Sequence, residues 1–376
     1  MHDILVIGGG KIGSTVAELL VDTPEAGGYR VTVADRSAAL LAQIDADPQR
    51  SPRRLPRLTT LALDAADPAA LHAALAGRYA VLSAAPYHLT VPIARAARAA
   101  GVHYLDLTED VASTRAVRDL AVGATTAFIP QCGLAPGFVS IVAADLARGF
   151  DTLDSVRLRV GALPAYPSNA LNYNLTWSTE GVINEYCEPC EAIVDGQRHE
   201  VPALEEREEF SLDGVLYEAF NTSGGLGTLC ETLAGKVRTL NYRTIRYPGH
   251  AAIMKALLHD LRLKDRRDVL KDILEQALPA TMQDVVIVFV TACGLREGRL
   301  QQDTYARKIY SHVLAGRLCS AIQITTASSL CAMLDMLADG TLLQQGFVRQ
   351  EEVALPAFLA NRFGRVYAMD ELARAA

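Results

Sequence analysis

Short unbroken apolar runs alternate with segments of helical apolar spacing through the first 130 residues. The runs are Ile4–Ile7, Arg30–Ala34, Leu58–Leu63, Ala80–Ser83, His103–Leu107 and Thr126–Ile129. Between them, Ile12–Val21, Ala69–Leu75 and Val91–Ala100 repeat apolar residues every three or four positions. Strands that are apolar on both faces and alternate with helices predict a parallel sheet covered on both sides. Asp67-Pro68 reads as a helix cap followed by proline in the first turn. Pro48, Pro52 and Pro56, among several arginines, predict a surface loop between Asp45 and Arg57.

The pattern changes at Gly133. A helix is expected over Phe138–Ala147, then strands at Ser155–Leu163, Leu171–Trp177, Val215–Phe220 and Val237–Tyr247. Val285–Ala292 and Leu300–His312 read as a hairpin turning at Arg296–Arg299. Mixed strands with few helices suggest an α+β domain with an open, largely antiparallel sheet. Ser320–Leu337 has helical spacing and leads into Gly340, where the chain is expected to return to the first domain. The expected division is residues 1–132 completed by 320–376, with 133–319 inserted as a second domain.

Composition narrows the classes. The 376 residues are 50% apolar and 21% charged, ample for a core in each of two domains. A net charge of −7 argues against nucleic acid as a partner, because phosphate backbones attract basic faces. No run of 18 apolar residues suggests a membrane span. Seven scattered cysteines do not suggest a disulfide framework, and a cytoplasmic setting is expected. Cys187 and Cys190 form a C-x-x-C without a second pair at zinc spacing, so no metal is expected.

Gly8, Gly10 and Gly13 form G-x-G-x-x-G between the first strand and a helix beginning near Lys11 and Ile12. The first glycine permits the tight turn, the second lets backbone approach a pyrophosphate, and the third lets helix and strand pack closely. The helix start offers bare N–H groups to phosphate. Asp35 ends the second run, 22 positions after Gly13, where a carboxylate can accept the adenosine ribose hydroxyls. That favours NAD, with NADP possible because Arg36 can pair with a 2′-phosphate. Asp64 ends the third strand near the adenine edge or serves as a turn residue. Ala84 and Ala85 end the fourth with small side chains. The expected architecture is a Rossmann doubly wound parallel sheet with an inserted α+β domain.

Several segments together resemble the saccharopine dehydrogenase / lysine 6-dehydrogenase family. They are ILVIGGGKIG at the start, SAAPYHLTVPIARAARAAGVHYLDLTED at 83–110, PQCGLAPGFVSIVAADL at 130–146, LNYNLTWSTEGVINEY at 171–186, FNTSGGLGTL at 220–229 and RTIRYPGH at 243–250. The resemblance implies that 133–319 is a substrate-binding and dimerisation domain, that the protein is a homodimer, and that it carries out reversible hydride transfer at a carbon–nitrogen bond of an amino acid. Saccharopine is the first substrate reading; lysine and carboxynorspermidine are the alternatives. A dinucleotide-binding redox sensor without catalysis is the alternative of another class.

Such chemistry needs a group that handles the amine proton and cations that hold carboxylates. Tyr87, Glu109 and Cys132 are the candidates beside the reacting atoms, at the ends of the fourth to sixth strands. The resemblance places Tyr87 by the substrate. Glu109 stands in an Asp106, Glu109, Asp110 cluster that also reads as a helix cap. His88, Asn172, Trp177, Thr222, Ser223, Arg243 and His250 are the candidates for substrate contact. Thr222-Ser223-Gly224-Gly225 is expected to precede a helix over Leu226–Leu233 whose N-terminus suits a carboxylate.

Overall fold

The structure, a computed structural model, describes residues 1–24, 28–46 and 55–368. Pro48 and Pro52 of the expected loop lie outside the described residues. The chain divides into two compact units. One is Met1–Phe138 with Val313–Cys319 and Gln323–Ala376; the other is Val139–His312 with Ser320–Ile322.

The first unit begins as the apolar pattern predicts. β1 (His2–Ile7), α1 (Lys11–Val21), β2 (Tyr29–Asp35), α2 (Ala38–Asp45), β3 (Leu58–Ala62), α3 (Pro68–Leu75) and β4 (Ala80–Ser83) follow in order. α4 (Thr90–Ala100), β5 (His103–Asp106), α5 (Val111–Ala121) and β6 (Ala127–Ile129) complete the alternation. Asp67 caps α3, accepting the Ala69 and Ala70 N–H groups at 2.9 and 3.2 Å with Pro68 in the first turn. Such a cap contributes about 1 kcal/mol. Asp110 caps α5 in the same way through Ser113. Strands four residues long hold here because both faces are sealed: the row Leu5, Val81, Tyr104 and Phe128 is fully buried on one face and the row Val6, Leu82, Leu105 and Ile129 on the other.

The second unit starts within α6 (Phe138–Arg148), followed by β7 (Thr152–Pro164), α7 (Thr179–Cys187), β8 (Cys190–Val194), β9 (Gln197–Val201), β10 (Glu208–Leu212) and β11 (Val215–Asn221). α8 (Leu229–Thr232), β12 (Val237–Arg246), α9 (His250–Lys255), α10 (Arg267–Ala277), β13 (Asp284–Arg296) and β14 (Arg299–Tyr310) follow. Its sheet runs β10-β11-β12-β7-β13-β14, with β8 and β9 branching from β12. It is antiparallel except for the β12–β7 pair. The sheet is strongly curled: Phe210 on β10 stacks on Phe289 of β13, ring centroids 5.5 Å apart, although three strands separate them.

Two expectations fail in this unit. Leu171–Trp177 is not a strand. Asn169 replaces a partner strand, donating from Nδ2 to the Tyr173 carbonyl at 2.7 Å and accepting the Tyr173 N–H at 3.3 Å. Leu226–Leu233 contracts to the single turn of α8, so Thr222–Gly225 does not stand at a helix start.

After β15 (His312–Leu314) and β16 (Arg317–Cys319) the chain forms α11 (Ala321–Ala338), β17 (Gly346–Phe347) and α12 (Leu355–Ala360). β17 pairs in parallel with β6, giving the first unit the seven-stranded order β17-β6-β5-β4-β1-β2-β3. This is a Rossmann sheet, whose order reverses between β1 and β4. Asp335 of α11 fastens the C-terminal segment. It accepts Tyr29 Oη at 2.7 Å, Asn361 Nδ2 at 2.9 Å and Arg362 Nε at 3.1 Å. Among the described residues α11 is the one helix long and apolar enough to cross a membrane, yet 72% of it is buried within the protein.

Candidate functional site

The first unit carries its most specific geometry where β1 ends. Gly8 has φ +99°, and a side chain there would press on the Ala84 carbonyl oxygen at 2.6 Å. Gly13 packs so tightly that a Cβ would overlap the Gly8 carbonyl oxygen. Gly10, by contrast, faces open space, with no atom within 4 Å of where its Cβ would stand. Gly10 also begins α1 without a side-chain cap, and the first turn holds no acidic residue. Lys11 is exposed and Ile12 half-buried. A turn closed at its first and third glycines and open at its second fits a dinucleotide pyrophosphate laid against bare amides. Ala84 and Ala85 are half-buried, and Ala84 donates to the Ile7 carbonyl at 2.8 Å, which holds the two strand ends together.

Asp35 serves the same turn. Its Oδ2 accepts the Gly9 N–H and its Oδ1 the Ser37 N–H, both at 2.8 Å. Each oxygen keeps a lone pair for a ribose hydroxyl. Arg36 is exposed beside it. Asp64 is exposed and accepts the Ala66 N–H at 2.9 Å, which is the turn role.

Tyr87 and His88 follow β4 in a short 3₁₀ turn and are both exposed, with ring centroids 6.1 Å apart. Beyond β5 lies a buried polar group. Asp106 is 1% exposed; Oδ1 accepts the Thr108 and Gln131 N–H groups at 3.0 and 2.8 Å, and Oδ2 accepts Tyr104 Oη at 2.7 Å. Burial pushes its carboxyl up to about 6, against the pull of those hydrogen bonds. Glu109 is half-buried, and burial, then repulsion from Asp110 and Asp106, raises its carboxyl above the ordinary range. Cys132 is fully buried; its thiol donates to the Ile129 carbonyl at 3.0 Å and receives Gln350 Nε2 at 3.4 Å. Burial, then the Asp106 charge, holds that thiol well above its usual range, which favours the neutral form over the thiolate. Gln350 comes from the far end of the chain, and no local sequence signal marks it.

In the second unit, alternation along β12 separates the arginines. Arg243 lies on the face of Arg159, its register partner on β7. Arg243 pairs with Glu206 at 2.9 Å and Glu208 at 3.1 Å, while Arg159 also holds Glu208. Burial would raise the Glu208 carboxyl, but Arg159 and Arg243 outweigh it and keep it below the usual range. Arg243 is therefore already neutralised.

Arg246 faces the other side of the sheet. It is 2% exposed, donating from Nε to Tyr186 Oη at 2.9 Å and from Nη1 to the Ile245 carbonyl at 2.8 Å. Its guanidinium carbon lies 4.9 Å from the Tyr173 ring centre. His250 adjoins it: Nε2 meets Tyr186 Oη at 3.0 Å and Nδ1 meets the Leu171 carbonyl at 2.9 Å. Burial, then the Arg246 charge, pushes the His250 imidazole down to about 3, so it is neutral at pH 7. Sequence reasoning selected Arg243 and passed over Arg246; the even-numbered face of β12 was the signal that distinguishes them.

The other candidates in this unit disperse. Asn172 sits in a turn at φ 50°. Trp177 packs on Gly181 and the core cluster containing Tyr173 and Tyr186. Thr222 bonds Thr244 at 2.7 Å; Ser223 spends its N–H on the Glu185 carbonyl and its hydroxyl on the Pro189 carbonyl. The α9 N-terminus is likewise filled, because Glu218 accepts the Gly249 and Ala251 N–H groups at 3.1 and 2.7 Å. All seven cysteines are free thiols, and no metal-binding cluster of His, Cys, Asp or Glu occurs among the described residues.

Residues 4–128 match the family described as saccharopine dehydrogenase NADP binding domain, and residues 133–365 match the saccharopine dehydrogenase C-terminal domain. The chain is similar to apo saccharopine dehydrogenase (L-Glu forming) from Saccharomyces cerevisiae, at 19% identity over 100% of this chain and 98% of that one, TM-score 0.74. At that identity the likeness speaks for the fold. It also aligns with DAP dehydrogenase of C. glutamicum at 12% identity, over 98% of this chain and 99% of that one, TM-score 0.49.

Proposed function

The chain belongs to the saccharopine dehydrogenase family as an NAD(P)-binding oxidoreductase, and from that premise we propose that it moves hydride between the dinucleotide and the C–N bond of an amino acid. The observation that carries the reading is the glycine turn, shut at Gly8 and Gly13 and open at Gly10. The turn amides and Asp35 would hold the dinucleotide, whose nicotinamide ring accepts or returns hydride when bound. Asp35 supports NAD as the preferred form, since its carboxylate would repel a 2′-phosphate.

Amine oxidation requires a neutral nitrogen, so a nearby group must take its proton. Glu109 is the residue we assign to this step: half-buried, it has the raised basicity that proton transfer near neutral pH requires. Asp106 holds the Gln131 turn in place. Tyr87 and His88, exposed after β4, are assigned to the amine end of the substrate. The imine formed by oxidation would hydrolyse to an aldehyde and an amine. The saccharopine reaction is one member of this class and oxidation of lysine at its side-chain amine another. A homodimer in a reducing, cytoplasmic compartment is part of the same proposal; light scattering of the purified protein tests the first.

The experiment is reduction of NAD and NADP followed by absorbance, with saccharopine, lysine and carboxynorspermidine as substrates. Turnover of one of them supports the reading. Tight NADH binding without turnover of any amine would favour the redox-sensor alternative.

A further inference from the structure

His103 is the first residue of β5, and its ring takes the place of a backbone acceptor. Nδ1 accepts the N–H of Ala127, the first residue of β6, at 3.0 Å. The register of the two strands pairs Tyr104 with Phe128 and Leu105 with Ile129, further along. Ala127 is fully buried, so its N–H depends on an acceptor from within the protein. Thr126 Oγ1 helps at the same end, donating to the Val102 carbonyl at 3.2 Å. β6 in turn carries the C-terminal segment. Gly346 and Val348 donate to the Thr126 and Phe128 carbonyls, both at 3.0 Å, and Gln350 Nε2 donates to the Pro130 carbonyl at 2.8 Å. β17 is two residues long and stands at the edge of its sheet, with β6 as its one neighbour there.

An imidazole nitrogen accepts an N–H only while it is unprotonated. We propose that His103 is an acid-sensitive latch: its neutral ring holds β6, and through β6 the β17 edge, and a proton on Nδ1 releases both. A protonated Nδ1 is a donor facing the Ala127 donor, so attraction turns to repulsion. The surroundings favour the neutral ring. His103 packs on Tyr79, ring centroids 4.8 Å apart, and Tyr79 packs on His2 at 4.0 Å. Burial, then the His2 charge, lowers the His103 imidazole below its ordinary 6.5. The other charges nearby face its neighbours: the Met1 amino group and Asp3, which pairs with Arg30, act on His2, and Asp339 acts on Tyr79. The latch is therefore closed above pH 6.5 and opens as pH falls through the lower folded value. It lies where β5 and β6 begin, whereas the glycine turn lies where β1 ends, and it does not depend on the proposed reaction.

Hydrogen exchange of the full chain, read by mass spectrometry at about pH 7.5 and about pH 5 and corrected for intrinsic exchange, tests the latch. Protection of peptides covering 126–129 and 346–350 should fall about 10-fold at the lower pH. Peptides covering β2 and β3, at the other edge of the sheet, should change by less than about twofold. His103→Gln, whose amide oxygen can accept from Ala127 but does not titrate, should keep both regions protected at both pH values. His103→Phe keeps a ring and removes the acceptor, so both regions should be loosened at both pH values; His103→Gln decides the matter if that variant does not fold. His2→Phe should move the opening to higher pH, because it removes the charge that opposes protonation. Equal wild-type protection at the two pH values, or an acid-induced loss that persists in His103→Gln, would overturn the proposal. Acid loosening confined to the second unit, where His250 titrates, would overturn it as well.

Discussion

Arg243 and Arg246 stand three positions apart on one strand, yet only Arg243 is matched by carboxylates, Glu206 and Glu208. The difference follows from strand alternation, which sends the two side chains to opposite faces. Arg243→Met should therefore act on stability. It leaves Glu206 and Glu208 with fewer partners, and a loss of about 1–3 kcal/mol is expected in denaturant unfolding. KM for the amino-acid substrate should stay within about twofold of wild type. A large KM change would mean that the cluster opens to substrate.

The glycine turn separates binding from folding. Gly10→Val adds a side chain into empty space at φ −63°, a conformation any residue adopts. Its melting temperature should fall by only a few degrees, while dinucleotide affinity drops by about 100-fold or more because the pyrophosphate loses its approach. Gly13→Ala, driven into the Gly8 carbonyl, should instead destabilise the whole unit. Equal thermal losses in the two variants would contradict this division.

Asp35 links cofactor choice to the turn. Asp35→Asn can keep the acceptor for either Gly9 or Ser37 but not both, and it removes the charge. The ratio of kcat/KM for NADP over NAD should rise about 10-fold, with a stability cost of about 1–2 kcal/mol. Steady-state kinetics with both dinucleotides checks it; an unchanged ratio would show that Arg36 or another group decides the preference.

His250 and Asp106 give stability opposite dependences on pH. The His250 pKa falls from 6.5 unfolded to about 3 folded. Its contribution is complete above pH 6.5 and is lost as pH falls toward the folded value. Asp106 rises from 3.8 to about 6, so its contribution is complete below the unfolded value and is lost as pH rises through 6. Denaturant unfolding across pH should show His250→Asn weakening the acid-side loss. Asp106→Asn, which retains one oxygen for Gln131, should stabilise the protein at pH 8 relative to pH 4, compared with wild type. Parallel curves for all three proteins would refute both assignments.

The dinucleotide half was legible because its signals are local. A four-residue strand such as Ala80–Ser83 announces itself when both faces are apolar, and Gly8, Gly10 and Gly13 carry their constraints in their spacing. The second unit was less legible because distant residues decide it. Leu171–Trp177 alternates like a strand, but Asn169 satisfies Tyr173, and only an isolated bridge from Leu175 to Ala280 forms. The expected helix N-terminus after Thr222 vanished because Ser223 is engaged by Glu185 and Pro189. Cys132 read as a group at the reacting atoms; burial and the Asp106 charge raise its thiol against the pull of the hydrogen bond from Gln350, more than two hundred positions later. Burial and distant partners of this kind leave no mark in local spacing.

The most direct test follows deuterium. Lysine or saccharopine labelled at the carbon bearing the reacting nitrogen is mixed with enzyme and NAD, and the product dinucleotide is examined by NMR. The account predicts deuterium at C4 of the nicotinamide, formed in step with NADH absorbance and abolished by Gly10→Val. Dinucleotide that binds tightly but acquires neither deuterium nor absorbance from any amine offered, saccharopine and carboxynorspermidine included, would contradict it.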